Sequence, residues 1–436
     1  MLQLQSLLGI FAFIGLAYLF SSDRKAIAWQ SVRRGLFLQG LMTFLILGWP
    51  DLGLHSPVQK AFPYINESIS SFLSFADEGS RFLFSDLAVF KKSGFILAFQ
   101  VLPLIVFISS LMTVLYHIGI MQFVVRILAL IMHKAMKLSG AESLAAAANV
   151  FVGQTEAPLV IKPYLDKLTS SEMFSVMTGG MATVAGSVLG AYVFLLQDHL
   201  PNIGGHLLTA SILSAPAALL VAKIMIPETS TPETLGTVPK DEQKPYVNVI
   251  EAAAAGASDG VQLAINVAAM LLAFIALIAM LDAGLGLFGE VIDFQSWGEA
   301  FVPEFIKSKA GYALPQLSLS LILSWLFIPF AFLLGIPWID FSFASNLIGE
   351  KVVFNEFISY TSLAAQAEHL QPRTLLIMSY ALCGFANFSS IAIQIGGIGS
   401  LAPNRRSELA QMGIKAVIGG TLAAFLTACW AGLVNP

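Results

Sequence analysis

Charge is scarce in this sequence. Of its 436 residues only 11% are charged, while 56% are hydrophobic. A soluble globular domain averages about 25% charged residues, so this composition excludes a soluble fold and indicates a polytopic membrane protein. Cysteine is nearly missing too. Cys383 and Cys429 both fall in apolar stretches, which supports neither a disulfide framework nor a metal cluster. The six histidines show no HxxxH or HExxH spacing, so no pair is set on one helical face to bind a metal. No basic tract with interleaved aromatics occurs, which removes the footprint of a nucleic-acid binder. Nor do basic residues precede the first apolar segment, Leu7 to Phe20; they follow it, as Arg24, Lys25, Arg33 and Arg34. A secretory signal peptide carries its positive charge in front. The segment therefore reads as an uncleaved first helix with its N-terminus outside.

What the chain has is long uncharged runs. Crossing a bilayer core takes ~20 apolar residues in a helix. After the first helix, suitable runs lie at 35–50 with its flanks, 93–125, 173–197, 205–222, 260–281, 310–339, 374–404 and 416–436. The run 93–125 exceeds one crossing. Tyr116 to Gly119 is predicted to end it, and residues 120–137, with Arg126, His133, Lys134 and Lys137, to continue as an amphipathic interfacial helix. The run 310–339 contains Pro315, Pro329 and Pro337 and reads as a second interfacial or steeply tilted segment. The aromatic-rich stretch 70–90 reads as an amphipathic helix on the outer surface. Asn66-Glu67-Ser68 beside it is a formal glycosylation sequon of the kind that arises by chance.

Positive charge in short loops marks the cytoplasmic side. Four groups qualify: Arg24, Lys25, Arg33 and Arg34; Arg126, Lys134 and Lys137; Lys223 with Lys240 and Lys244; and Arg405, Arg406 and Lys415. They alternate correctly if eight helices cross and both termini lie outside, although Lys91 and Lys92 then fall on the outer side. The expected divisions are N-terminal scaffold helices with an outer-surface segment at 1–92 and a first repeat at 93–226. A cytoplasmic linker with an interfacial helix follows at 227–259, where the Pro- and Thr-rich stretch 227–247 lies, and a second repeat at 260–436.

Two stretches fit no crossing. Ser143 to Thr155 is uncharged and ends at Glu156, with Pro158 and Pro163 beyond; Phe341 to Tyr360 is broken by Glu350, Lys351 and Glu356. Runs this short are candidates for re-entrant hairpins, here near 141–168 and 338–368, and such hairpins are tolerated only where the tip is buried in protein or lines a watery cavity. The halves also match in order. Each has a long helix, an interfacial segment, a broken segment with a glutamate, a glycine-bearing helix and a last helix. GGMATVAGS (179–187) corresponds to CGFANFSSI (383–391). By the charge assignment one half starts outside and the other inside. An inverted repeat with broken helices is the construction of secondary transporters.

Chemistry should sit where ionisable residues enter the membrane, because they are costly there and mark functional paths. Glu156 and Glu356 hold equivalent places in the two hairpins. The plain reading makes each a structural partner for a backbone amide or a lysine. The sharper one has both accept hydrogen bonds from a polar, uncharged solute, with Gln154 and Thr155 adding donors and acceptors; a planar amide suits a base edge. Asn387 and Ser390 lie three apart on one helix face, beside Gly384, which makes the turn easy to unwind. Gly179, Gly180 and Gly186 do the same in the first half, where Thr183 and Asn149 offer hard oxygen ligands for a small cation. Small polar residues of this kind also serve simply as packing groups.

GQTEAPLVIKPYL (153–165), TGGMATVAGSVLGAY (178–192), NEF (355–357) and CGFANFSS (383–390), in that order, resemble the concentrative nucleoside transporter family, in particular its bacterial sodium-coupled members. The likeness covers nearly the whole chain. It implies an all-α polytopic protein of the bacterial inner membrane, with eight transmembrane helices and two opposed re-entrant hairpins, assembled as a homotrimer and working by an elevator-like movement of a transport domain. It implies further that Gln154, Thr155 and Glu156 contact the nucleobase with Val188 packed against it, and that Glu356, Asn387 and Ser390 hold the ribose beside Phe385. Asn149, Val152, Thr183 and Val184 correspond to the sodium site, partly through backbone carbonyls. Some relatives have Ser at the position of Thr183, which keeps the hydroxyl, and proton-driven relatives depart from GQTE where this chain does not. The expectation is sodium/nucleoside symport, with uridine or another pyrimidine nucleoside favoured and no organic cofactor. Its rivals are proton coupling, a membrane-embedded carboxylate enzyme, for which no nucleophile or metal ligand is found near the glutamates, and a passive channel, which needs no pair of gates.

Overall fold

Helices follow the apolar runs, and their ends follow local backbone chemistry. The computed structural model describes residues 1–94, 96–239, 246–298 and 317–435, so expectations resting on Lys240, Lys244, Pro315 and the side chain of Lys91 lie outside it. Apart from an isolated bridge between Trp49 and Leu54, the described residues form helices and their connections. The chain opens with α1 (Leu2–Leu19), α2 (Trp29–Leu47) and the amphipathic α3 (Phe62–Phe84). Asn66, on α3, accepts from the backbone N–H of Gly204 at 3.4 Å, so the sequon asparagine has a packing role.

Next come α4 (Leu102–His117) and α5 (Ile120–Met136). They part at Gly119, whose φ of +91° lies in the left-handed region that glycine enters without a Cβ clash. The division expected at Tyr116–Gly119 is the one observed. After α6 (Gly140–Asn149), Glu156 leads into a 3-10 segment, Ala157–Lys167. Pro163 offers no N–H to an α-helical ladder, and the segment departs from helical geometry at Ile161.

The run expected at 173–197 is split into α7 (Ser170–Ala182) and α8 (Gly186–Leu196), followed by α9 (Ile203–Met225). Then α10 (Val249–Val291) runs 43 residues without a break, so the division expected at 259/260 falls inside one helix. The uncharged run begins only after Asp259, but alanine-rich sequence carries the helix back to Asn248, whose side chain caps it by accepting from Glu251 N at 2.9 Å. The second half continues with α11 (Leu319–Leu334), α12 (Phe341–Val353), α13 (Glu356–Ala365), α14 (Pro372–Ala381), α15 (Phe388–Leu401) and α16 (Arg406–Val434). Among the described residues, six helical stretches are long and apolar enough to cross a membrane. At 1.5 Å per residue α10 spans ~65 Å, about twice a bilayer core.

Small residues govern the packing, as expected where lipid leaves no hydrophobic drive between helices. Gly256 and Gly260, a GxxxG pair on α10, lie against α4; a Cβ at Gly260 would come within 2.7 Å of Val106 Cα. Gly420 on α16 meets α7 in the same way, 2.6 Å from Met181 Cβ. The largely buried α16 packs against α1, α2, α7, α9, α14 and α15.

One expectation is corrected. Lys223, read as a loop cation, sits in the last turn of α9 with its side chain 6% exposed, paired to Glu142 at 2.8 Å and Glu228 at 3.4 Å. The capping box that starts α6 draws Glu142 inward, where Ser139 N donates to Glu142 Oε1 at 3.0 Å. A buried carboxylate requires a partner cation.

Candidate functional site

Two helix pairs, α7 with α8 and α14 with α15, are each interrupted, and the two interruptions touch. α7 ends as Thr183 turns extended, and α8 starts at Gly186. Between α14 and α15 the chain passes through Gly384, at φ +152°, where a Cβ would lie 2.8 Å from Met181 O. Only glycine fits both that conformation and that contact. Phe385 N then donates to Thr183 O at 3.3 Å, and Gly186 N to Phe151 O at 2.9 Å, tying the first interruption to the tip before Glu156.

Around this crossing lies a cavity of about 410 Å³, within the usual range of ~300–1,000 Å³ for small-molecule sites. It is lined by Gln154, Thr155, Glu156 and Val188 from the first half and by Glu356, Phe385, Asn387 and Ser390 from the second. All eight residues expected to hold substrate thus face one space, although they span more than half the sequence.

The two glutamates are not equivalent there. Glu356 is buried at the start of α13, where the helix N-terminus favours negative charge. Its Oε1 accepts from Tyr192 OH at 3.0 Å and its Oε2 from Asn387 Nδ2 at 3.0 Å. Glu156 is open to the cavity, and its Oε1 accepts from Thr155 Oγ1 at 3.0 Å. Gln154 reaches across the halves, its Nε2 donating to Ser390 Oγ at 3.1 Å. Asn387 caps α15 by accepting from Ser390 N at 2.9 Å.

Of the four residues expected at the sodium site, Asn149, Thr183 and Val184 are buried and Val152 lines the cavity. Asn149 is 1% exposed, and neither its Oδ1 nor its Nδ2 has a hydrogen-bond partner among the described residues. An orphaned buried amide oxygen suits a hard cation. Thr183 and Val184 are buried at the interruption, and Thr183 Oγ1 donates to Gly179 O at 3.0 Å. Val152 lines the cavity edge. Among the described residues no group of three or more His, Cys, Asp and Glu could hold a metal.

Some lining residues were missed from the sequence. Asn355 caps α13 and joins the wall, as do Ser389 and, from α10, Asp259. Tyr192 supports Glu356 and lies four positions after Val188, so helical spacing could have found it. Gln394 stands alone as an amide in an apolar run, one helical turn beyond Ser390, a signal that was available.

A family described as Na+ dependent nucleoside transporter C-terminus matches residues 206–432, its N-terminal counterpart residues 8–87, and a nucleoside recognition gate family residues 98–198. An uncharacterized transporter of Bacillus subtilis is 42% identical over 99% of both chains. Solute carrier family 28 member 3 of Rattus norvegicus is 39% identical over 99% of this chain but 59% of its own length. The chain thus spans about three fifths of the mammalian relatives of that name. Among solved structures, CNTnw in an inward-facing substrate-bound state superposes with a TM-score of 0.85 at 41% identity, covering 100% of this chain and 98% of that one. An outward-facing variant of CNTnw gives 0.87 at 40% identity, with the same coverage.

Proposed function

The chain belongs to the Na+ dependent nucleoside transporter family, and on that premise we propose that it imports nucleosides by symport with sodium. The family is one of transporters and not of enzymes. One observation carries the reading: residues picked out from both halves by their chemistry line a single cavity at the contact between two interrupted helices. A nucleoside has a planar polar base and a hydroxylated sugar, and in this reading the polar residues that line the cavity share them out. Gln154, Thr155 and Glu156 take the base edge with Val188 against its face. Glu356, Asn387 and Ser390 take the ribose hydroxyls beside Phe385. A pyrimidine such as uridine is the favoured cargo.

Sodium is the second substrate, held by Asn149, Thr183 and backbone carbonyls at Val152 and Val184. The bond from Phe385 N to Thr183 O supports coupling, because the ion side and the sugar side share one backbone contact. An ion that fixes Thr183 thereby steadies Phe385. In this reading the pairs α6 with 157–167 and α12 with α13 are opposed re-entrant hairpins of an inverted repeat. They move together past a scaffold within an eight-helix protomer of a homotrimer, with both termini outside the bacterial inner membrane. The exposed apolar face of α10, including Val261, Ile265, Leu272 and Ile275, supports contact with lipid or a second subunit.

Uptake of labelled uridine into proteoliposomes under imposed sodium or proton gradients tests this. Accumulation against a concentration gradient is expected with sodium alone. Absence of saturable uptake under either gradient would overturn it, and accumulation with protons alone would reassign the ion.

A further inference from the structure

Gln394 is fully buried on α15, with no contact to the cavity, yet it holds a residue that does line it. Its Nε2 donates both to Met177 O on α7, at 2.9 Å, and to Gln154 Oε1, at 3.1 Å. The polarity of this chain of bonds is forced. A backbone carbonyl only accepts, so the Gln394 atom facing Met177 O must be the amino group. That same group faces Gln154, whose near atom must then be its oxygen. The Gln154 amino group is left pointing away, toward Ser390 Oγ at 3.1 Å and the cavity. The opposite flip of Gln394 would set two acceptors face to face at Met177. The orientation shown holds even though it leaves Gln394 Oε1 without a partner among the described residues.

Local sequence makes room for the pair. A Cβ at Gly180 would stand 2.8 Å from Gln154 Cβ and 2.9 Å from Gln394 Nε2, so the two amides meet only because residue 180 is glycine. Gln394 and Ser390 are four apart on one face of α15. Together they grip the two ends of the Gln154 amide from the other half of the molecule.

We infer that Gln394 is a positioning residue that sets the polarity of the Gln154 amide. The site therefore offers a donor to the base edge and prefers nucleosides whose base presents an acceptor there. The inference rests on the reading of Gln154 as a base contact. Uridine, with a 4-oxo acceptor, and cytidine, with a 4-amino donor, differ in the property concerned.

The test measures KM for uridine and cytidine in sodium-driven uptake by the full-length protein and by Gln394→Glu, Gln394→Leu and Gln154→Ala. Uridine should have the lower KM in the parent. Gln394→Glu removes the amino group that serves two acceptors, so Gln154 turns its own amino group inward. The KM ratio should then move toward cytidine by about tenfold, the size of one hydrogen bond exchanged. Gln394→Leu, which leaves Gln154 free to flip, should bring the ratio near unity, and it keeps the inference testable if the charged variant does not fold. A merely structural role would lower uptake of both nucleosides equally, and an unchanged ratio in both Gln394 variants overturns the inference. Gln154→Ala separates the two levels. If it collapses the ratio while the Gln394 variants do not, only the positioning role fails; if it too leaves the ratio unchanged, the base-contact reading fails with it.

Discussion

Asn387 donates from Nδ2 to Oε2 of Glu356 at 3.0 Å, joining the interrupted helix of the second half to the start of α13. The amide cannot turn over, because its Oδ1 is engaged by Ser390 N at 2.9 Å and Ser389 Oγ at 2.7 Å. Glu356 thus has one oxygen committed to Asn387 and the other to Tyr192, each with a lone pair to spare for a ligand hydroxyl.

Glu356→Gln is expected to lower uridine uptake efficiency about ten- to hundredfold, since hydrogen bonds to a charged group contribute about 1.5–3 kcal/mol each. Tyr192→Phe, which removes one donor and leaves the carboxylate in place, should cost less. Uptake kinetics in proteoliposomes check both. Unchanged uptake by Glu356→Gln would remove the residue from the ribose assignment.

Asn149 yields a prediction of opposite sign for stability and function. A buried amide without partners costs about 1–3 kcal/mol, so Asn149→Leu, with the same branched arrangement of side-chain heavy atoms, should raise the apparent melting temperature in sodium-free buffer. The same change removes the oxygen proposed for the ion, so added sodium should no longer stabilise the protein and sodium should no longer drive uptake. Thermal scans with and without sodium decide the point. A sodium-dependent shift that survives the substitution would place the ion elsewhere.

Gly260 tests the close packing of α4 on α10. A Cβ there would lie 2.7 Å from Val106 Cα, a backbone atom that cannot yield alone. Gly260→Leu should therefore destabilise the fold by about 1–3 kcal/mol through overpacking. Gly284, also on α10 but with nothing near its Cβ position, should accept Ala without loss. Melting temperatures of the two variants in detergent give the comparison.

How far the fold was legible follows from which physical signal each element leaves. Uncharged runs reported the apolar helices, and Gly119 reported the boundary between α4 and α5, because both signals are local. The interruptions at 183–185 and 382–387 were foreshadowed by glycines, but their mutual contact through Gly384 and Met181 depends on tertiary approach, which spacing does not record. The start of α10 was missed because Asp259 ended the uncharged run while the helix continued through it. Site residues with chemistry of their own, such as Glu156 and Asn387, stood out against an apolar background. Gln394 and Tyr192 carried signals in their helical spacing, but they act through Gln154 and Glu356, and that action depends on partners brought close by the fold. Lys223 was misread for the same reason: nothing near it in sequence announces Glu142.

That ion pair supports the last prediction. Lys223 and Glu142 meet at 2.8 Å with side chains 6% and 1% exposed, and Lys223 also donates to Ser171 Oγ at 3.0 Å. Removing one partner of a buried pair costs about 3–5 kcal/mol, mostly because the other charge is left uncompensated, whereas removing both can be nearly neutral. Lys223→Met should therefore lower the melting temperature markedly. The double change Lys223→Met with Glu142→Gln should recover most of the loss, because glutamine at that position still completes the capping box with Ser139. Melting scans of the parent, both single variants and the double variant form a closed cycle. If the double variant is as unstable as the sum of the two single changes, Lys223 does not act through Glu142, and its burial must be explained by Glu228 and Ser171 alone.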